Sequence, residues 1–141
     1  MLFVCVGNAC RSQMAEAFAR TYGSDVMEAH SAGLLPAMAI PPETRKVMAE
    51  KNIDLADQFP KAFDLVRPST FDLVVNLSGH RLPGRDWKSL REWKMRDPIG
   101  ESEAVHRQVR DQIENLVMAL VLELRSLREN WTKQFDSSAK R

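Results

Sequence analysis

A single three-layer α/β/α domain on a four-stranded parallel sheet is the fold class that these 141 residues predict. Apolar runs of strand length alternate with stretches of helical periodicity, and strands separated by helices imply parallel pairing through right-handed crossovers. The breaks between them fall at Gly, Pro and Asn, and no internal repeat or second domain interrupts the pattern. A chain of this length buries roughly two-thirds of its unfolded surface without help from disulfides or metal. Its formal net charge of +1 supplies no global attraction for nucleic acid or a membrane surface. No apolar run approaches the ~20 residues of a spanning helix, and no charged region precedes the N-terminal apolar stretch. The expectation is a cytoplasmic protein without a membrane anchor.

The elements follow in order. Leu2-Phe3-Val4 leads into Cys5 as a buried strand, because large apolar residues precede a Gly/Asn breaker. After Ser12 the spacing of Met14, Ala15, Ala17, Phe18 and Ala19 predicts an amphipathic helix. Val26 to Ser31 reads as a second strand ending at Ala32-Gly33. Leu34 to Pro42 is apolar but holds Pro36, Pro41 and Pro42, which disfavour regular structure; its apolar residues either wall a substrate cleft or cover the core. Pro41-Pro42-Glu43 suits a helix start, with Val47, Met48 and Ile53 on the buried side. Asp64 to Thr70 suits a short helix or turn, and Phe71 to Leu77 an interior strand.

Ser78 to Leu90, with Gly79, Pro83 and Gly84, reads as a long loop, and Glu92 to Met95 as a fourth strand ended by Asp97-Pro98-Ile99-Gly100. A long helix is predicted from Ser102 to about Leu127, with Val105, Val109, Ile113, Leu116, Leu120, Leu124 and Leu127 at steps of three or four. Its middle, Leu116 to Leu122, is apolar all round, which implies burial on more than one face or a homodimer contact on the outer one. Trp131 and Phe135 continue the rhythm weakly. The domain is therefore placed at 1–135 and a flexible tail at 136–141.

The chemistry gathers at the first loop. Cys5 stands at the carboxyl end of a strand, where ligands of open parallel sheets bind, and Val6, Gly7, Asn8, Ala9 and Cys10 join it to Arg11 and Ser12 at a helix start. Such a loop turns backbone N–H groups toward one point, and the helix dipole adds positive potential. It is a phosphate-binding loop in form: a dianion is the natural guest, and Arg11 adds a planar fork of donors. The same field stabilises the thiolate of Cys5 and makes it a nucleophile. Ser12 suits a helix N-cap, and Asn8 a left-handed turn that braces the loop. Asp97 reads either as an ordinary Asp-Pro turn or as a proton source over the site. Neither a cofactor nor a metal is expected: Cys5 and Cys10 have no second Cys pair, and His30, His80 and His106 lack ligand spacing. The nucleotide-binding pattern G-x4-G-K-[ST] is absent.

Cys5 to Arg11 forms a C-x5-R signature, and the string VCVGNACRSQMAEA, with Ser31-Ala32-Gly33 and Asp97-Pro98, closely resembles the low-molecular-weight protein tyrosine phosphatases and the arsenate reductases that share their fold. The resemblance implies that Cys5 is the nucleophile and that Arg11 and the loop from Val6 to Cys10 hold the oxyanion. It also implies that Ser12 hydrogen-bonds the sulfur, that Asp97 is the general acid and that Ser31 supports the site. Cys10 is then either a small loop residue or a partner that shelters Cys5 in a reversible disulfide.

The hydrolase reading is a metal-independent cysteine phosphatase. It acts on phosphomonoesters, protein phosphotyrosine among them, through a phosphocysteine. Family members that prefer phosphotyrosine carry aromatic residues after Asp-Pro, where this chain has Ile99 and Gly100. Trp93 is expected in the core, whereas Trp87 is left open between core and substrate wall. The alternative is an arsenate reductase with an external thiol reductant, which GNACRSQMAEAFAR and EWKMRDPIG resemble. The relay cysteines of thioredoxin-coupled reductases are missing, and Ser78 stands where one would be. A third reading is a non-catalytic oxyanion-binding module. The expected partners are a phosphorylated protein or small phosphomonoester and an inorganic oxyanion, phosphate or arsenate.

Overall fold

The computed structural model describes residues 1–139, with side chains through Asp136. The apolar opening forms β1 (Leu2–Cys5), and the helical spacing after the loop forms α1 (Arg11–Gly23). There follow β2 (His30–Gly33), α2 (Pro42–Ala49), two 3-10 turns (Phe63–Leu65 and Pro68–Thr70), β3 (Val74–Asn76), β4 (Leu90–Glu92) and α3 (Glu103–Ala139). The strands lie in the order β2-β1-β3-β4, every neighbouring pair parallel. β1 is therefore an interior strand, with Leu2 in register with both His30 and Val74, and its carboxyl end opens at the middle of the sheet.

Alternation along β1 divides the core. Phe3 and Cys5 face the cluster built with Met14 and Phe18 of α1, Val47 and Met48 of α2, and Ile113, Val117 and Val121 of α3. Leu2 and Val4 face the other side, where Phe63, Leu82 and the half-buried Trp87 and Leu90 cover the sheet. The three α-helices thus flank one face, while the two short 3-10 helices and the 78–90 loop form the third layer on the other.

Strand boundaries differ from the sequence reading because pairing sets them. β2 begins at His30 rather than Val26 and includes Ala32 and Gly33, which lie opposite Val4 and Cys5. β3 shrinks to Val74–Asn76. β4 is Leu90–Glu92 rather than Glu92–Met95, since these residues lie opposite β3; pairing continues only through the Trp93 N–H, which donates to the Asn76 carbonyl at 2.9 Å. Trp93 is half-buried at the edge of the larger core, packed on Phe3 with ring centroids 5.9 Å apart, and Trp87, also half-buried, packs against the smaller core. Pro41 precedes α2 as expected, whereas Ile53 is buried beyond the end of that helix.

α3 is longer than its predicted end at Leu127. No Gly or Pro follows Gly100, so nothing breaks the helix. Its buried face is Val109, Ile113, Val117, Leu120 and Val121, while Leu122 and Leu127 are exposed on the opposite, outer face and Trp131 and Phe135 are exposed farther along the helix. Trp131 and Phe135 stack on each other at 5.4 Å. The expected tail at 136–141 begins inside α3, and residues 140–141 lie outside the described residues. Among the described residues no helix is long and apolar enough to cross a membrane.

Two outcomes test this packing. Ile113 is fully buried, so Ile113→Ala should lower the unfolding free energy by about 2–5 kcal/mol in urea titrations, while Leu122→Ala on the open face stays within about 0.5 kcal/mol. Glu50 at the end of α2 clasps α3 through Arg107 and Arg110, whose hydrogen bonds hold its carboxyl down at about 2 from an ordinary 4.5. A depressed carboxyl contributes stability that is present above its unfolded value and is lost as pH falls. Thermal melts should therefore drop between about pH 4.5 and 2, more steeply for the wild type than for Glu50→Gln.

Candidate active site

The loop after β1 is held open by its neighbours. The carbonyls of Cys5, Val6 and Gly7 accept from the amides of Leu34, Leu35 and Ala37 at 3.1, 2.8 and 2.9 Å. In a trans peptide the N–H that follows points opposite to the carbonyl, so these bonds turn the next three amides away from the 34–37 segment. That segment therefore frames the loop instead of merely covering the core. Asn8 adopts φ +48°, a left-handed conformation that reverses the chain, and Cys10 precedes the first turn of α1. Gly33 fits beneath this reversal only because it lacks a side chain: a Cβ there would lie 2.7 Å from the Asn8 nitrogen.

Cys5 is almost wholly buried and its Sγ lies 2.8 Å from Ser12 Oγ. Asn8 Nδ2 donates to the same Ser12 oxygen at 2.7 Å, and Asn8 Oδ1 accepts the Lys61 amide at 2.9 Å. Gln13 Nε2 donates to the Asn8 carbonyl at 2.9 Å. Arg11, also buried, donates through Nη1 to the Leu77 carbonyl at 2.7 Å and presents Nη2 to Asp97 Oδ2 at 3.3 Å. Asp97 is about half exposed, and its other oxygen caps the Ile99 amide at 3.1 Å in a tight turn. Cys5, Gly7, Ala9, Cys10, Arg11, Asp97 and Ile99 enclose a cavity of about 20 Å³, room for a single water.

The fold thus brings Cys5, Arg11, Ser12 and Asp97 together, with Gly7, Ala9 and Cys10 lining the cavity; Val6 contributes backbone and Asn8 braces from behind. Ser31 is elsewhere: its hydroxyl donates to Glu16 Oε1 at 3.1 Å, under α1. Cys5 and Cys10 are both free thiols. Burial pushes the Cys10 thiol up to about 12, with the Thr44 hydroxyl pulling weakly the other way. That hydroxyl is buried with no hydrogen bond of good geometry. Ser78 is bound to Asn76 Oδ1 through both its amide and its hydroxyl, at 3.0 and 2.6 Å, at the carboxyl end of β3. Among the described residues no three His, Cys, Asp or Glu are grouped to hold a metal ion.

Sequence reasoning overlooked Gln13, Gln58 and the Leu77 carbonyl. Only Gln13 left a trace there, a polar residue inside the first turn of an otherwise apolar helix. The tight contact at Gly33 gives a direct test. Gly33→Ala should lower the unfolding free energy by about 1–3 kcal/mol in urea titrations and weaken competitive inhibition by inorganic phosphate, since the displaced atoms are loop backbone.

Residues 1–133 match the family described as low molecular weight phosphotyrosine protein phosphatase. Similar curated proteins include a glutaredoxin arsenate reductase of Synechocystis sp., 33% identical over 129 residues, covering 88% of this chain and 97% of that one. Arsenate reductase 1 of Bacillus cereus is 39% identical over 115 residues, covering 79% and 85%. Among solved structures, an arsenate reductase in its phosphate-binding state superposes with a TM-score of 0.81 at 34% identity, covering 87% and 96%. The YwlE arginine phosphatase of Geobacillus stearothermophilus superposes with a TM-score of 0.80 at 27% identity, covering 92% and 94%. With its cysteine loop, its parallel sheet and this match over nearly its whole length, the chain belongs to the low molecular weight phosphotyrosine protein phosphatase family.

Proposed function

We propose that the chain reduces arsenate to arsenite with electrons from an external thiol. The observation that carries the reading is that relatives 33–39% identical over 79–88% of this chain are named arsenate reductases. The site has the parts for that reaction. The Cys5 thiolate attacks arsenic(V); Arg11 and the loop amides hold the other oxygens; Asp97 protonates the departing oxygen, which leaves as water. An external thiolate then attacks Cys5 Sγ, the S–As pair of electrons goes to arsenic, and arsenite leaves. A second external thiol reduces the mixed disulfide and restores Cys5, so that two thiols become one disulfide for each arsenate reduced.

The electrons come from outside because the chain has only two cysteines, and Cys10 is a poor attacking group with its thiol held near 12. Ser78 occupies the carboxyl end of β3 with a hydroxyl that cannot carry electrons. The relative named for glutaredoxin supports a reductant of the glutathione and glutaredoxin kind. Such thiols stay reduced in the cytoplasm, where we place the reaction.

Phosphomonoester hydrolysis, with a phosphorylated protein or small ester as substrate, is the second reading. It is favoured by Asp97, whose half-exposed carboxyl stands at the mouth beside Arg11, where a leaving alkoxide needs a proton. Cys5→Ser should reduce turnover of either substrate to background. With arsenate and glutathione plus glutaredoxin, arsenite should accumulate, while p-nitrophenyl phosphate turns over slowly. Brisk Cys5-dependent hydrolysis without arsenite formation under any thiol would reverse the order of the two readings.

A further inference from the structure

Behind Asn8 lies a run of buried amides that neither reaction accounts for. Gln58, from the segment after α2, donates its side-chain Nε2 to Gln13 Oε1 at 2.8 Å and to the Gln13 carbonyl at 3.1 Å. Gln13 donates its own Nε2 to the Asn8 carbonyl at 2.9 Å and to the Phe59 carbonyl at 3.0 Å. Gln13 is completely buried and Gln58 nearly so. The segment that carries Gln58 is itself tied to the edge of β2, where the Gly33 amide donates to the Lys61 carbonyl at 2.8 Å.

The directions of these bonds are fixed by chemistry. An amide nitrogen only donates and a carbonyl only accepts. The Lys61 N–H must meet Asn8 Oδ1, so the Asn8 amino group must face Ser12. Ser12 Oγ therefore accepts, and its single proton is left to point at Cys5 Sγ. In the same way Gln58 orients Gln13, whose amino group must then face the Asn8 carbonyl. The bonds from Gln58 to the Asn8 carbonyl and those from the Asn8 side chain to the sulfur all donate in one sense; Asn8 joins the two runs through its own backbone, and the second ends with a donor on the nucleophile.

We propose that Gln58 is a positioning residue for Cys5: through Gln13 it locks Asn8 in its left-handed conformation and so keeps the Ser12 hydroxyl donating to the sulfur. A donor on sulfur favours the thiolate over the thiol, so loss of Gln58 weakens the nucleophile without touching the cavity. Arg11, Asp97 and Cys10, the other titratable groups around the cavity, are left in place. The inference rests on Cys5 as the reacting nucleophile and is independent of the oxyanion that it attacks.

The test is the pH profile of Cys5 alkylation by iodoacetamide, read at Cys5 by peptide mass spectrometry on the full chain, with circular dichroism to confirm folding. Gln58→Met keeps length and bulk but cannot donate. Its alkylation midpoint should move to higher pH, and its rate at neutral pH should fall roughly two- to tenfold, the size of one lost hydrogen bond. Gln58→Lys, which restores an N–H donor at this position, should recover most of the rate, and should lose that recovery in a Ser12→Ala background, which sets the hydrogen bond apart from the added charge. In a Ser12→Ala background Gln58→Met should add no further shift, because the donor it controls is gone. If Gln58→Met does not fold, Gln58→Ala against Gln58→Lys reads the same property. A profile unchanged by loss of the donor, a Lys variant no better than Met, or an equal shift without the Ser12 hydroxyl would overturn the proposal. An unchanged profile beside a Cys5→Ser variant that has lost turnover separates this failure from failure of the reaction itself.

Discussion

The site hangs on one backbone conformation, the left-handed turn at Asn8. A non-glycine residue at φ +48° is held against a steric penalty, and here three partners supply the restraint: the Lys61 amide and the Ser12 hydroxyl on its side chain, and Gln13 on its carbonyl. Reversing the chain at that point does two things together. It returns the loop to the start of α1, so that the helix dipole and Arg11 face the sulfur. It also places Ser12 close enough to Cys5 to share a proton with it. Gly33, without a side chain, lets β2 approach closely enough for both.

Arg11 is positioned through both arms of its guanidinium. One arm of its guanidinium is fixed to the Leu77 carbonyl at the end of β3, so the charge is aimed before any ligand arrives. Its other arm meets Asp97, and the pair closes the cavity to about the size of one water. Asp97 stands about half exposed at the rim of that cavity, with its second oxygen on the Ile99 amide.

The cysteines divide in role by environment. Cys5 has a hydroxyl donor and a guanidinium near it, whereas Cys10 has its burial and only a weakly placed Thr44 hydroxyl. Two thiols five residues apart in one loop, both packed into the larger core, thus differ in their neighbours: Cys5 has a hydroxyl at 2.8 Å, whereas the Thr44 hydroxyl makes no hydrogen bond of good geometry. Ser78, at the end of β3, has its hydroxyl locked onto the Asn76 side chain.

The local features were legible in the sequence. The apolar run, the Gly/Asn breaker and the C-x5-R spacing determined a strand, a loop and a helix start with a cysteine at the mouth, because each depends on residues a few positions apart. Asp97 could be suspected from its proline but not placed. Tertiary contact decided the rest. β2 and β4 took boundaries that their own patterns did not indicate, since a strand in a parallel sheet ends where its neighbour stops offering partners. Ser31 went to Glu16 rather than to the loop, and α3 kept its apolar spacing at Leu127, Trp131 and Phe135 although all three are exposed. Gln58, forty-five residues from Gln13, reached the active loop through a fold that no local pattern encodes. Local sequence determined which groups could react; the long-range packing that joins distant segments decided which of them meet, and in which direction their protons point.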